Sequence, residues 1–307
     1  MSKTTITKDV IIMGSGPSGL AAAIYASRAG LDTIVIDNYI SGGQAAISDT
    51  IENYPGFIKI TGAELSERMK EQAEKSGAII NQLEEIKNVS LSGQIKEVET
   101  ANTIYQSKVL MIATGAYPVP LPVENEEKFR GKGIHYCAVC DGAMYKGKTI
   151  AVVGGGNSAI KEALFLSNIA HEVILIRRKN SFHAEKVLIE KVQRKNNIKI
   201  MYNTDVVGVD GKDSMDTLII KGVKTPDKYR INVSAVFVCI GRKPSSELFC
   251  NYVQTQNGYI VTDERMQTDI SGVYAIGDIR VKEYRQLTTA VSDGTIAALE
   301  AEQYIAK

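Results

Sequence analysis

The chemistry-bearing feature of this chain is a pair of cysteines with two residues between them, Cys137 and Cys140, in the stretch HYCAVCDGAMYKGK. Such a pair can hold a metal, staple a loop or carry electrons. A zinc site takes four ligands, and although His135 would make H-x-C-x-x-C, no fourth partner stands at ligand spacing. Cys239 lies in the apolar run AVFVCIG, where it reads as a small buried side chain, and Cys250 follows Leu-Phe at no useful interval. A staple closing so short a loop stabilises little, and four cysteines in 307 residues do not make a disulfide framework. Electron transfer remains: a C-x-x-C pair beside a proton donor has one thiol fitted for exchange. Asp141, next to Cys140, is the candidate donor and equally a candidate cap for the turn that follows.

The elements that must position this pair repeat along the chain. VIIMGSGPSGLAAAIYASRAGLDTIVID (10–37) aligns without a gap on IAVVGGGNSAIKEALFLSNIAHEVILIR (150–177). Each copy is an apolar strand, a G-x-G-x-x-[GA] turn, an amphipathic helix and a second apolar strand, the pattern of a dinucleotide-binding βαβ unit. Gly14 and Gly154 allow the tight turn, and Gly16 and Gly156 let backbone approach a pyrophosphate. Gly19 and Ala159 allow close helix–strand packing, while the helix N-terminus offers free N–H groups to phosphate. Downstream, TGAELSERMKEQAEKSG predicts a helix with a capping box from Thr61 to Glu64 and a stop at Gly77. Short β segments from about Ile79 to Tyr105 precede the strand VLMIATGAYP. In the second copy AEKVLIEKVQRK is the helix, a β stretch runs from about Ile198 to Ile231, and AVFVCIGRKP closes it.

The expected fold class is therefore α/β: two Rossmann-like, three-layer domains of parallel sheet plus β-meander, the second inserted into the first. The boundaries are 1–117 and 243–307 for the first domain and 118–242 for the second, which carries the cysteines. The charged, proline-bearing YPVPLPVENEEKFRGKG and the segment GRKPSSEL mark the crossings.

One charge distinguishes the two sites. The second strand of the first copy ends at Asp37, a carboxylate suited to ribose hydroxyls. Its counterpart is Arg177, followed by Arg178 and Lys179, a basic cluster suited to a 2′-phosphate. FAD or NAD fits the first site and NADPH the second, which implies hydride flow from NADPH to a flavin that separates hydride chemistry from the step at the thiols.

Bulk composition narrows the class. Lys+Arg 36 against Asp+Glu 35 leaves a net charge of +1, which argues against nucleic acid and anionic membrane as partners. No apolar stretch has the length of a signal sequence core or a bilayer span, so a cytoplasmic location is expected.

The motifs GSGPSG, SGGQ, ENYPGF, ATGA, CAVCDG, GGGNSA, GRKP, AIGD and YRQLTTAVSDGTIAA are spread over essentially the whole chain. With them the sequence resembles the bacterial-type, low-molecular-weight thioredoxin reductases (thioredoxin-disulfide reductases). The resemblance implies FAD held by Gly14, Gly16, Pro17, Gly19, Asp37, Gly43, Gln44, Asn53, Thr114, Gly115, Gly277, Asp278, Arg285 and Gln286. It implies NADPH held by Gly154, Gly156, Asn157, Ser158, Arg177, Arg178, Lys179 and His183. Cys140 matches the sulfur that meets the flavin, Cys137 the one that attacks thioredoxin or a thioredoxin-like protein, and Asp141 the acid–base residue. The family also implies a homodimer whose middle domain rotates, because nicotinamide and disulfide must take turns at the flavin.

Absences point the same way. The stretch after Asp37, NYISGGQAAISDT, has no cysteine, unlike the glutathione-reductase type. The chain opens on the first strand, without the additional C-x-x-C domain of peroxide-reducing relatives, and same-fold reductases fed by ferredoxin lack the cysteine pair. One departure stands out: the family's His-Arg-Arg-x-x-x-Arg reads here as Arg177-Arg178-Lys179 with His183. Lys179 lacks the planar fork of arginine and His183 is largely neutral at pH 7, which leaves NADH use open. The alternatives are a same-fold reductase using NADH or another donor, and a non-enzymatic flavin/thiol redox sensor.

Overall fold

The run Val10–Met13 is apolar at every position because both of its faces are covered, and all four side chains are fully buried. It ends the strand Thr4–Met13, which pairs in parallel with Thr33–Ile36 on one side and Thr103–Ile112 on the other. The computed structural model describes residues 3–48, 50–225 and 227–307. The chain divides into two units, 1–117 with 243–307, and 118–242.

In the first unit the parallel strands lie in the order Ile79–Asn81, Thr33–Ile36, Thr4–Met13, Thr103–Ile112. Val273–Ala275 pairs in parallel with Leu110–Ile112, so the C-terminal segment completes this sheet. Thr103–Ile112 is one ten-residue strand, although the sequence suggested a break after Tyr105. Its C-terminal half joins Val273–Ala275, while its N-terminal half pairs antiparallel with Lys96–Thr100, which in turn pairs with Ile86–Ser90. The meander is thereby an extension of the same sheet.

The helix Pro17–Arg28 turns Leu20, Ala22, Ala23 and Ala26 inward and packs on the helix Leu287–Ile305. The two approach so closely that a Cβ on Gly294 would collide with the Ser18 carbonyl. In the helix Gly62–Lys75 the Thr61 hydroxyl accepts from the Glu64 N–H at 3.1 Å. The Glu64 carboxylate, expected to reach back, instead pairs with Arg68 at 2.7 Å, because a guanidinium one turn on competes for it. The capping box is half formed.

In the second unit five parallel strands lie in the order Ile198–Met201, Glu172–Ile176, Thr149–Gly154, Val236–Cys239, Ile134–His135. A separate antiparallel meander follows, Thr204–Gly211, Met215–Gly222 and Lys228–Asn232. The helices Asn157–Leu166 and Lys186–Gln193 complete it. One face of the sheet packs on the meander through Val153, Ile174, Val206 and Leu218, and the other on the helices through Ile150, Val152, Ile160 and Leu175. Each such aliphatic side chain, fully buried, contributes about 1.5–3 kcal/mol.

Candidate active site

Phe237 pairs in register with His135 on the edge strand Ile134–His135, and the chain then turns sharply into the redox segment. Cys137 caps the short helix Ala138–Asp141: its sulfur accepts the Cys140 N–H at 3.2 Å, and its carbonyl accepts the Asp141 N–H at 3.1 Å. The two cysteines form a disulfide, with Cα atoms 5.3 Å apart. Cys140 is exposed and Cys137 half-buried. Gly142 continues the turn where any Cβ would press into the Leu166 side chain of the neighbouring helix, at 2.7 Å.

Asp141 does not stand free. Its Oδ2 lies 3.1 Å from Nδ1 of His135, whose side chain is 3% exposed, and Nε2 of the same ring lies 2.7 Å from the Tyr145 hydroxyl. Burial and the Asp141 charge push the Tyr145 hydroxyl up to about 12, so it stays protonated. Beneath the turn Glu162 accepts hydrogen bonds from the Cys239 thiol, at 2.8 Å, and from the Ala138 N–H. Desolvation raises the Glu162 carboxyl, and burial with the Glu162 charge raises the Cys239 thiol. Cys239 is a protonated donor rather than a nucleophile.

The expected nucleotide contacts of this unit gather at one turn. A Cβ on Gly154 would strike the Cys239 carbonyl, whereas one on Gly156 would meet only the His183 carbonyl, at 3.8 Å. Asn157 and Glu185 clasp each other, Glu185 N–H to Oδ1 and Nδ2 to Oε1, both at 2.8 Å. Ser158 is exposed. The basic cluster divides: Arg177 lies against Gly155 and donates Nε to the Ser181 carbonyl at 3.0 Å. Arg178, Lys179 and His183 are exposed.

The first unit forms the other cradle. Gly14, at φ +107°, makes a turn in which any Cβ would press on the Ala113 backbone, and one on Gly19 would strike the Gly14 carbonyl. Gly16 and Gly115 face open space, with nothing within 4 Å of an added Cβ. Pro17 is the first residue of the helix that follows. Asp37 accepts from Ser15 N–H and hydroxyl at 2.6 and 2.7 Å and from Tyr39 N–H at 2.9 Å. Oδ2 takes both Ser15 donors, and Oδ1, with one, keeps acceptor capacity for a ribose hydroxyl. Asn53 Nδ2 reaches Gln286 Oε1 at 3.4 Å, bringing together residues remote in sequence. Gly43 and Gln44 are exposed in a short helix, Thr114 bonds the Ser245 carbonyl at 2.8 Å, and Arg285 lies over the Tyr259 ring at 4.4 Å. Gly277 donates its N–H to Asp293 at 3.0 Å, with Asp278 following in a single 3₁₀ turn. An open phosphate approach, a carboxylate at the second strand end and a glycine turn at a helix start fit a flavin dinucleotide.

Sequence reasoning missed three residues. Glu162 stands three residues after the buried Ala159 and four before the buried Leu166, and Asp293, itself buried, stands likewise between the buried Ala290 and Ala297. A carboxylate at a core position of the helical repeat was the signal. Asp293 holds Lys282 at 2.7 Å and Arg280 at 3.3 Å besides the Gly277 N–H. Tyr145 carried no such mark.

Residues 8–294 match the family described as pyridine nucleotide-disulphide oxidoreductase. The chain is 39% identical over 301 residues to a thioredoxin reductase of Bacillus subtilis, covering 97% of this chain and 94% of the relative. It is 45% identical over 298 residues to a 34.2 kDa protein in the rubredoxin operon of Clostridium pasteurianum, covering 97% of each. The thioredoxin reductase structure from Streptococcus pyogenes superposes with a TM-score of 0.93 at 36% identity, covering 98% of both chains. A cysteine pair joined beside a glycine turn, a second dinucleotide cradle and these full-length likenesses together make the chain a member of the pyridine nucleotide-disulphide oxidoreductases, on the thioredoxin reductase branch.

Proposed function

We propose that the protein is a flavoenzyme that moves electrons from NADPH through FAD and the Cys137–Cys140 disulfide to oxidised thioredoxin. The observation that carries this reading is the disulfide itself, formed at an accessible turn beside the Asp141 carboxylate in the unit that also bears the GGGNSA turn. FAD, when bound, supplies the switch between two-electron hydride chemistry and thiol chemistry. Asp37 takes the ribose hydroxyls of the flavin nucleotide, and the open faces of Gly16 and Gly115 admit its phosphates. Arg178 and Lys179, exposed at the end of the second strand, take the 2′-phosphate of NADPH.

Cys137 is the sulfur that attacks thioredoxin: the Cys140 N–H aimed at it stabilises a thiolate there. Cys140 would face the flavin when it is bound and would afterwards resolve the mixed disulfide. Asp141 gives and takes the sulfur proton. This reading carries a homodimer and a cytoplasmic setting, where free thiols such as Cys239 and Cys250 stay reduced. Among the described residues no helix is long and apolar enough to cross a membrane.

NADH as donor is the second reading, favoured by one observation: Arg177 is engaged by Ser181 and Gly155 and leaves two strong cations for a 2′-phosphate. The deciding experiment follows thioredoxin reduction driven by NADPH and by NADH, with the flavin absorbance recorded alongside. NADPH-driven turnover with flavin bleaching is expected. A protein that takes up no FAD, or whose flavin bleaches while thioredoxin stays oxidised, overturns the proposal.

A further inference from the structure

We propose that His135 is a positioning residue that stores the proton Asp141 delivers to sulfur, so that Tyr145, His135 and Asp141 act as one relay. The proposal deepens the functional reading above and rests on it. Three observations carry it. The His135 ring is enclosed, 3% exposed, and stacks on Phe237 with centroids 5.4 Å apart, which fixes its plane. Its Nδ1 lies 3.1 Å from Asp141 Oδ2 and its Nε2 lies 2.7 Å from the Tyr145 hydroxyl, so both ring nitrogens are committed. Asp141, 26% exposed, reaches solvent where the buried ring does not.

The chemistry needs such a store. Opening the Cys137–Cys140 bond to one thiol and one thiolate takes two electrons from the reduced flavin and one proton. A carboxylate parts readily with its proton in neutral water, whereas imidazole is the side chain suited to taking up and releasing a proton there. The imidazolium gives its Nδ1 proton to Asp141, Asp141 passes it to the departing sulfur, and His135 is left neutral. One proton taken up from water through Asp141 restores it. Tyr145, kept protonated, accepts from Nε2–H of the charged ring and donates to Nε2 when that nitrogen is bare. Among the described residues, charged or titratable groups near the relay include Lys148, whose Nζ lies 5.6 Å from the Tyr145 ring, and Glu162, with Cys239 and Arg242 beside it.

The test uses the FAD-loaded protein and the variants His135→Asn and Tyr145→Phe. Asparagine places an amide where Nδ1 was and can still face Asp141, but it carries no titrating proton. The rate at which the disulfide is reduced is expected to fall about 10-fold at pH 7 in His135→Asn. The gap narrows as pH falls and solvent supplies the proton instead of the ring, and the bleaching of flavin by NADPH is unchanged. Tyr145→Phe, nearly isosteric, moves the basic limb of the profile to lower pH as well, because the imidazolium loses an acceptor. A second readout needs no turnover: the pH midpoint for alkylation of the reduced cysteines is expected to rise in His135→Asn, since the nearby cation that favours thiolate is gone. An equal loss of rate at every pH with an unmoved alkylation midpoint overturns the relay and leaves His135 a packing residue. A wild-type protein that reduces no thioredoxin overturns the functional reading instead, and the alkylation profiles still decide the relay.

Discussion

The division of labour between the two sulfurs is decided residue by residue. Cys140→Ser keeps Cys137 as nucleophile and is expected to accumulate a covalent complex with a thioredoxin lacking its own resolving cysteine. Cys137→Ser forms little of it, and neither variant sustains turnover. Trapping through Cys140 alone, seen on a non-reducing gel, reverses the assignment. Arg178→Ala is expected to raise KM for NADPH by about 1.5–3 kcal/mol of lost charge-assisted bonding, and KM for NADH far less. Equal effects on both nucleotides leave Arg178 a solvated side chain. Glu162 makes a pH prediction. Its folded-state carboxyl is raised by desolvation, so the native protein holds that proton more tightly than the unfolded chain. Stability is then lost as pH rises from the ordinary carboxyl value through the raised one. Glu162→Gln is expected to remove that slope, read as a wild-type minus variant Tm difference that grows more negative with pH; a flat difference refutes it.

At the scale of elements, the two glycine turns separate packing from ligand approach. Gly19 lies where the helix Pro17–Arg28 meets its preceding turn, and a side chain there collides with the backbone of Gly14. Gly19→Val is expected to cost about 1–3 kcal/mol of stability even without cofactor. Gly16, at φ −72°, faces open space, so Gly16→Ala should leave the cofactor-free Tm in place while weakening FAD binding. Thermal denaturation with and without FAD checks both, and a Gly16→Ala protein that binds FAD normally sinks the assignment of that face to phosphate. The half-formed capping box at Thr61 shows how an element departs from its motif. The residue types for reciprocal capping are present, but Arg68 one turn later draws the Glu64 carboxylate away.

For the whole molecule, the order of the chain makes an asymmetric prediction. Residues 118–242 are contiguous and carry two hydrophobic clusters of their own, so the segment expressed alone is expected to fold and to form its disulfide. Residues 1–117 alone lack the strand Val273–Ala275 and the helix Leu287–Ile305, which cover Thr103–Ile112 and Pro17–Arg28, and are expected to remain unfolded. Circular dichroism of the two fragments checks this. Saturating FAD at about 100 times its Kd should add about 2.7 kcal/mol to the holoprotein, visible as a raised Tm.

What the sequence determined by itself is local in origin. The strand–glycine–helix–strand units were legible because glycine spacing and apolar periodicity report backbone geometry within a few residues. The cysteine pair was legible because a disulfide across two intervening residues needs no distant partner. The charge contrast between Asp37 and Arg177 was legible because aligned repeats put both at the same strand end. Tertiary structure alone decided the rest. Arg177 counts as one more cation in the sequence, but the fold of the 177–183 loop turns its guanidinium onto Gly155 and the Ser181 carbonyl. Glu162 and Cys239 are 77 residues apart, and only the packing of helix against strand brings them to 2.8 Å. His135 and Asp141 are near neighbours in sequence, yet their pairing depends on Phe237, which holds the ring while the helical turn carries the carboxylate back over it. Hydrogen-bonded side-chain pairs depend on the angles at which elements meet, and no short-range periodicity encodes those angles.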